Sequence, residues 1–250
     1  MQGTWKNIVC YLYDNGLCDT IYFTIQISAL TLSHVLAVIF GKKLGLKKIK
    51  ALVAVLIEVI IVYIEMFFIC AIIEKIVPYD APIMNTYYNN VVRTFVLVPF
   101  SAFLVSKLFK EDLKTICALY AFAQPVIWGL ASVACPFAGC CIGIPCEWGI
   151  YNAWEQMYVF PTQFLNALLL VSAAIYIAYR VKRNQYKPDG TEYPVALILI
   201  GIIRFLTEFL MDDPKIIWGL SSFSINAVIM CFVGITALIV IRKNKRKVLL

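Results

Sequence analysis

Residues 194–211 read PVALILIGIIRFLTEFLM. Apart from Arg204 and Glu208 this stretch is apolar over the length of a membrane-crossing helix. A charge near mid-bilayer costs about 2.5–3.5 kcal/mol on insertion scales, so an arginine and a glutamate here need a reason. Their i, i+4 spacing puts both side chains on one helical face, where each can offset the other's desolvation. A structural ion pair and a functional site are the two readings of this stretch. Intramembrane charges favour the second.

The composition outward from it agrees with a membrane location. Of 250 residues, 62% are hydrophobic, and the mean hydropathy is +0.82. A water-soluble fold has too little core to hide that much apolar surface. The net charge of +7 gathers in short loops and in the tail RKNKRK. That distribution suits an anionic cytoplasmic leaflet rather than nucleic acid, since no basic face alternates with stacking aromatics. The first nineteen residues mix polar and apolar side chains without a cationic start, so no cleavable signal peptide is expected.

Seven apolar segments are expected to span, at 21–41, 51–73, 91–109, 115–142, 162–179, 194–211 and 223–241, within one integral-membrane domain covering 1–250. The fourth holds Pro125 and Pro136 and is expected to kink or break. Basic residues crowd 42–50, 107–114, 180–187 and the tail, whereas the alternate loops carry few. The positive-inside rule therefore places the N-terminus outside and the C-terminus in the cytoplasm of an all-α polytopic protein. Trp148, Tyr151, Trp154 and Tyr158 predict that 144–160 lies along the outer interface.

Three further groups bear on chemistry. ACPFAGCCIGIPC, residues 134–146, brings four cysteines to the end of the fourth span. A bend packed from small residues, a disulfide among Cys135, Cys140, Cys141 and Cys146, and thiol chemistry with a substrate at Cys135, Cys140 or Cys141 are the readings open to it. The C-x4-CC-x4-C spacing lacks the C-x2-C pairs of structural zinc sites, so no metal and no cofactor is expected. A Cys10–Cys18 disulfide is a further possibility. Glu58 and Glu65 share a face at i, i+7, and Glu65 toward Arg93 is a plausible pair. Gln124 and Gln163 add buried amides. His34, the sole histidine, reads as a hydrogen-bonded structural residue rather than a base. No Ser/His/Asp order, phosphate loop, dinucleotide fingerprint or HExxH string occurs. An arginine with carboxylates, amides and thiols in such a setting suits a phosphate headgroup.

These strings resemble the bacterial prolipoprotein diacylglyceryl transferases, and more closely a cysteine-rich, divergent branch. GIIRF at 201–205 followed by Glu208 and Phe209 is similar to G-x-x-R-F-x-x-E-F. FPTQF at 160–164 is similar to H-P-[ST]-Q-L, with phenylalanine in place of histidine. Trp218 to Ser224 resembles the G-x-L-S stretch, and AGCCIG at 138–143 the A-G-C-C-Y-G string. The main branch's G-R-x-G-N-x-x-N-x-E is not kept. Its arginine falls on Ser132, its asparagines on Cys135 and Ala138, and its glutamate on Cys140, while Gly139 and Gly143 hold. The H-G-G-L string falls near Val92, where the chain reads VVRTFVLV.

The resemblance implies a multi-pass enzyme of the bacterial plasma membrane. It would move diacylglycerol from phosphatidylglycerol to the lipobox cysteine of a lipoprotein precursor. Arg204 would bind the phosphate and Glu208 orient it, with Gln163, Gly139, Gly143, Arg93 and Ser224 contacting substrate. A relative acting on another lipid or acceptor, and a non-catalytic lipid-binding or transport protein, are the alternatives.

Overall fold

The computed structural model describes residues 2–61, 98–213, 215 and 218–248, which are mostly helical. Helices α1 (Gln2–Asp14) and α2 (Cys18–Lys43) are followed by α3, helical over residues 48–61. Then come α4 (Val98–Phe109), α5 (Leu113–Ser132) and the single turn α6 (Cys135–Ala138). A hairpin of β1 (Pro145–Asn152) and β2 (Met157–Val159) leads into α7 (Thr162–Arg183), α8 (Glu192–Glu208) and α9 (Ser222–Val248). Glu65 and Arg93, and the segments of the second and third expected spans that hold them, lie outside the described residues.

Four described segments are long and apolar enough to cross a membrane: Cys18–Lys43, Leu113–Ser132, Thr162–Arg183 and Phe223–Lys245. The helix carrying Arg204 and Glu208 is shorter. Its 17 residues reach roughly 26 Å, against about 30 Å of hydrocarbon. Large apolar side chains point outward from these helices, among them Ile27, Leu168, Ile175 and Phe232. Lipid is a suitable solvent for such a surface.

Inside, Ala37, Phe40, Ala51, Val55, Val105, Ile116 and Leu119 form one core among α2, α3, α4 and α5. Leu170, Leu197, Ile200 and Met230 join α7, α8 and α9. Helices without a water-driven hydrophobic term between them pack through small residues. Accordingly, a Cβ on Gly201 would lie 2.7 Å from Cys231 Sγ and 2.8 Å from Ala227 O, and one on Gly234 2.8 Å from Pro194 O. These glycines let α8 and α9 touch along their backbones. Two polar side chains cross the first core: Tyr120 donates to Ala54 O at 2.8 Å, and Gln124 Nε2 donates to Glu58 Oε1 at 3.1 Å.

The fourth expected span breaks, though not at Pro125, which sits inside α5. The helix stops at Ser132, and Pro136 falls in the first turn of α6, where its missing N–H costs nothing. The helical fold also carries one small strand pair. Residues 145–159 pair as an antiparallel hairpin, with Tyr151 opposite Tyr158 and Asn152 opposite Met157. Asn152 closes the turn by accepting from the backbone N–H groups of Trp154 and Glu155. The first residues form α1 and lie on this hairpin. Trp5 Nε1 donates to Tyr151 O at 3.0 Å, and Tyr13 meets Trp154 edge to face.

The basic loops come together at the opposite end. Lys50 pairs with Glu111 at 2.6 Å, Arg180 donates to Thr191 Oγ1 at 2.9 Å, and Lys245 pairs with Asp189 at 2.8 Å. The 42–50, 107–114 and 180–187 loops and the C-terminal tail thus occupy one end, and the cysteine segment, hairpin and α1 the other.

Candidate functional site

The cysteine segment is folded tightly by its own backbone. Gly139 ends α6 at φ 64°, and Cys141 also adopts a left-handed φ of 54°. These reversals turn the chain back on itself, and neighbouring elements hold it. Thr162 Oγ1 donates to Cys141 O at 3.1 Å, while Gln163 Nε2 donates to Cys141 O at 2.7 Å and to Cys140 O at 3.3 Å. Beyond it, Asp212 N donates to Ile142 O at 2.9 Å and Ile144 N to Leu210 O at 3.0 Å, which ties the segment to the end of α8. The sulfur atoms of Cys135, Cys140 and Cys141 all lie within 4.8 Å of one another, and Cys146 is not one of this group. All eight described cysteines are free thiols, Cys10 and Cys18 included, so neither disulfide weighed from sequence forms among them.

Beside these thiols is a cavity of about 320 Å³ between α2, α5, α7, α8 and α9. Its polar wall comprises Arg204, Asn166, Asn226, Ser132, Gln26 and the thiols of Cys135 and Cys141. The Arg204 guanidinium lies over the Phe223 ring, 5.0 Å from its centroid. Asn166 and Asn226 are buried, and the side-chain oxygen of each has no hydrogen-bond partner. Leaving such an oxygen unpaired costs about 1–3 kcal/mol. Both asparagines line one cavity with Arg204, an arrangement that suits a ligand with anionic and hydroxyl groups. A larger cleft of about 760 Å³ opens at the basic end, near Lys114, Asp189 and Lys245. Its principal charges, Asp189 and Lys245, already satisfy each other.

The expected Arg204–Glu208 ion pair is not formed among the described residues. Glu208 is 1% exposed, and its Oε1 accepts the hydroxyl of Ser221. Ser221 also accepts from Ser224 N at 3.1 Å, capping the start of α9. Helical spacing put the two charges on one face, but a donor from the next helix captures the carboxylate. Among the described residues Arg204 forms no salt bridge, and it sits half-buried at the cavity wall.

Other expected residues fall as follows. Gln163 is buried and spends its amide on the cysteine backbone, so it positions the thiols and does not line the cavity. Gly139 and Gly143, expected to admit lipid, instead admit protein. An added Cβ would meet Trp154 at 2.6 Å in the first case and Phe160 O at 2.1 Å in the second. Ser224 is buried within the Ser221 cap. Arg93 lies outside the described residues. His34 Nδ1 contacts Leu30 O at 2.6 Å within its own helix, away from the thiols.

Sequence reasoning missed Asn166 and Asn226. Each is an amide in an apolar run, and Asn166 follows Gln163 by one helical turn, which was the available signal. It also missed Asp213. Burial first, and then the Glu208 carboxyl beside it, push the Asp213 carboxyl up to about 7 against the opposing pull of Arg204.

No family model matches this chain. It is similar to phosphatidylglycerol–prolipoprotein diacylglyceryl transferase 2 of Clostridium perfringens, with 27% identity over 126 residues. That match covers 48% of this chain and 48% of the relative, so the alignment spans about half the length of the curated protein.

Proposed function

We propose that this chain is a membrane diacylglyceryl transferase, moving diacylglycerol from phosphatidylglycerol to the cysteine thiol of a lipoprotein precursor. The observation that carries the reading is the cavity wall, where Arg204, in no salt bridge among the described residues, lines one space with two buried asparagines whose side-chain oxygens lack hydrogen-bond partners. A glycerophosphate headgroup offers the matching set. Its phosphate accepts the planar guanidinium fork, and its hydroxyls can donate to the asparagines. The name of the clostridial relative supports the same substrates.

In this reading Arg204 stabilises charge on the departing glycerol phosphate as the carbon–oxygen bond breaks. Glu208 positions α9, and with it Phe223 and Asn226, through Ser221. Gln163, Gly139 and Gly143 hold the thiol segment in place. Ser224 completes the Ser221 cap, and Arg93 is assigned to headgroup capture. The chain crosses the bacterial plasma membrane seven times with the N-terminus outside. Clustering of the four basic segments at one end supports that orientation.

The test is complementation. In a bacterium depleted of its own transferase, expression of this chain should restore lipid labelling of a model lipoprotein. Arg204→Ala should reduce it strongly at unchanged protein level. A well-inserted chain that gives no labelling would contradict the reading and favour another lipid or acceptor on this scaffold.

A further inference from the structure

The chemistry proposed above joins a thiol to carbon, and the cavity has no evident group to take the thiol's proton. A cysteine of ordinary pKa, about 8.5, is only a few per cent thiolate at neutral pH. The chain's one histidine, His34, lines a different cleft with Leu30, Val38 and Lys48. Glu208 is occupied by Ser221, and neither it nor Asp213 lines the cavity. What the wall does present is sulfur.

Zinc binds thiolates at about 2.3 Å, so two sulfurs sharing a tetrahedral ion stand about 3.8 Å apart. The three sulfurs of Cys135, Cys140 and Cys141 already lie within 4.8 Å of one another, so small side-chain rotations would bring them to that spacing. Cys146 and His34 are not in the group, and among the described residues no fourth His, Cys, Asp or Glu joins it. Three protein ligands and an open fourth position is the arrangement of catalytic rather than structural zinc. Spacing along the chain could not reveal this, because the left-handed turns at Gly139 and Cys141 fold a C-x4-CC string into one face. The supports expected around a ligand set are present as well. Gln163 and Thr162 hold the Cys141 carbonyl, and Trp154 packs on Gly139.

We infer that Cys135, Cys140 and Cys141 form a tris-thiolate zinc site whose fourth position, facing the Arg204 cavity, takes and activates the acceptor thiol. This rests on the transfer reading above. Binding to the metal releases the acceptor's proton to solvent and leaves a coordinated thiolate. Its sulfur attacks the glyceryl carbon and forms the S–C bond. The C–O bond to phosphate breaks, its electron pair leaves with glycerol phosphate beside Arg204, and the neutral thioether leaves the metal. No oxidant or reductant is needed. Three thiolates and Zn²⁺ carry a net charge of −1, which the Arg204 guanidinium on the same wall offsets.

Cobalt(II) serves as the optical probe. Purified under reducing conditions, the chain should take up one Zn²⁺ or Co²⁺, and the cobalt form should show a thiolate-to-metal charge-transfer band. Cys135→Ser, Cys140→Ser and Cys141→Ser should each weaken uptake tenfold or more, and Cys146→Ser should leave it unchanged. A lipobox peptide should shift the cobalt ligand-field bands, and the same peptide with serine for cysteine should not. On the unaltered chain, Zn²⁺ should slow alkylation of the thiols by iodoacetamide, and a chelator should restore it, so the result does not depend on the variants folding. No stoichiometric uptake, uptake by the three variants equal to that of the unaltered chain, or alkylation indifferent to Zn²⁺ overturns the site. Cobalt bands indifferent to the peptide overturn thiol activation. Metal-free protein that still transfers lipid overturns this inference and leaves the transfer reading standing. Metal-loaded protein that binds the peptide thiol but transfers nothing supports the site and contradicts the transfer reading.

Discussion

Arg204 illustrates how one residue can be legible in sequence while its partner is not. A guanidinium in an apolar run is conspicuous, because few positions tolerate its desolvation cost. Its environment was misjudged, because i, i+4 spacing says nothing of Ser221, thirteen residues after Glu208, which takes the carboxylate instead. Two predictions belong here. Arg204→Ala should lower transfer by about 10²–10³-fold, the scale of a lost charge-stabilising donor. Arg204→Lys should recover only part of this, since an ammonium lacks the planar fork; initial rates on phosphatidylglycerol vesicles decide it. The second concerns Asp213, whose folded pKa of about 7 exceeds the ordinary aspartate value of about 3.9. The folded state therefore favours its acid form. This contribution to stability is fully present below about pH 4 and is lost as pH rises through about 7. Thermal unfolding in detergent across that range should show the decline, and Asp213→Asn should flatten it.

Among the elements, α8 and the start of α9 act as one unit, joined by the Gly201 contact and by the Ser221 bridge. Ser221→Ala removes the α9 cap and the hydroxyl that buried Glu208 Oε1 accepts. The expected loss is about 2–4 kcal/mol, read as a lowered melting temperature. Glu208→Gln keeps an oxygen that can accept from Ser221 and should cost less than Glu208→Ala. Equal losses would contradict the bridge. At the thiol segment, Gly143→Ala would force a methyl group to within 2.1 Å of Phe160 O, so it should cost about 3 kcal/mol, the upper end for overpacking. Long apolar helices could be read from sequence because their composition is continuous. The break at Ser132 was expected only approximately, since Pro125 and Pro136 look alike in a string. A proline in mid-helix bends, whereas one in the first turn is accommodated. The α1 helix and the hairpin escaped notice because each depends on the other for its contacts, as Trp5 on Tyr151 and Tyr13 on Trp154 show.

At the scale of the whole molecule, the charge pattern bears on how the chain is oriented. Alternating basic loops predicted a two-ended protein, and the ion pairs and hydrogen bonds of Lys50, Arg180 and Lys245 gather those loops at one end. A cysteine introduced at Lys47 should then be protected from impermeant maleimide in intact cells, and one at Glu155 on the hairpin turn should be labelled. The reverse pattern would contradict the proposed orientation. The site itself was only half legible, because cavity walls are made by helices distant in sequence, and Asn166 and Asn226 are ordinary polar residues until they are seen to line one cavity with Arg204. The most direct measurement is transfer by the purified chain in phosphatidylglycerol vesicles to a synthetic peptide bearing a lipobox cysteine, with the product read by mass spectrometry. The account predicts a peptide heavier by one diacylglyceryl group in thioether linkage, formed about 10²–10³-fold more slowly with Arg204→Ala and absent with a serine peptide. An unmodified peptide in the presence of folded, lipid-embedded protein would contradict it.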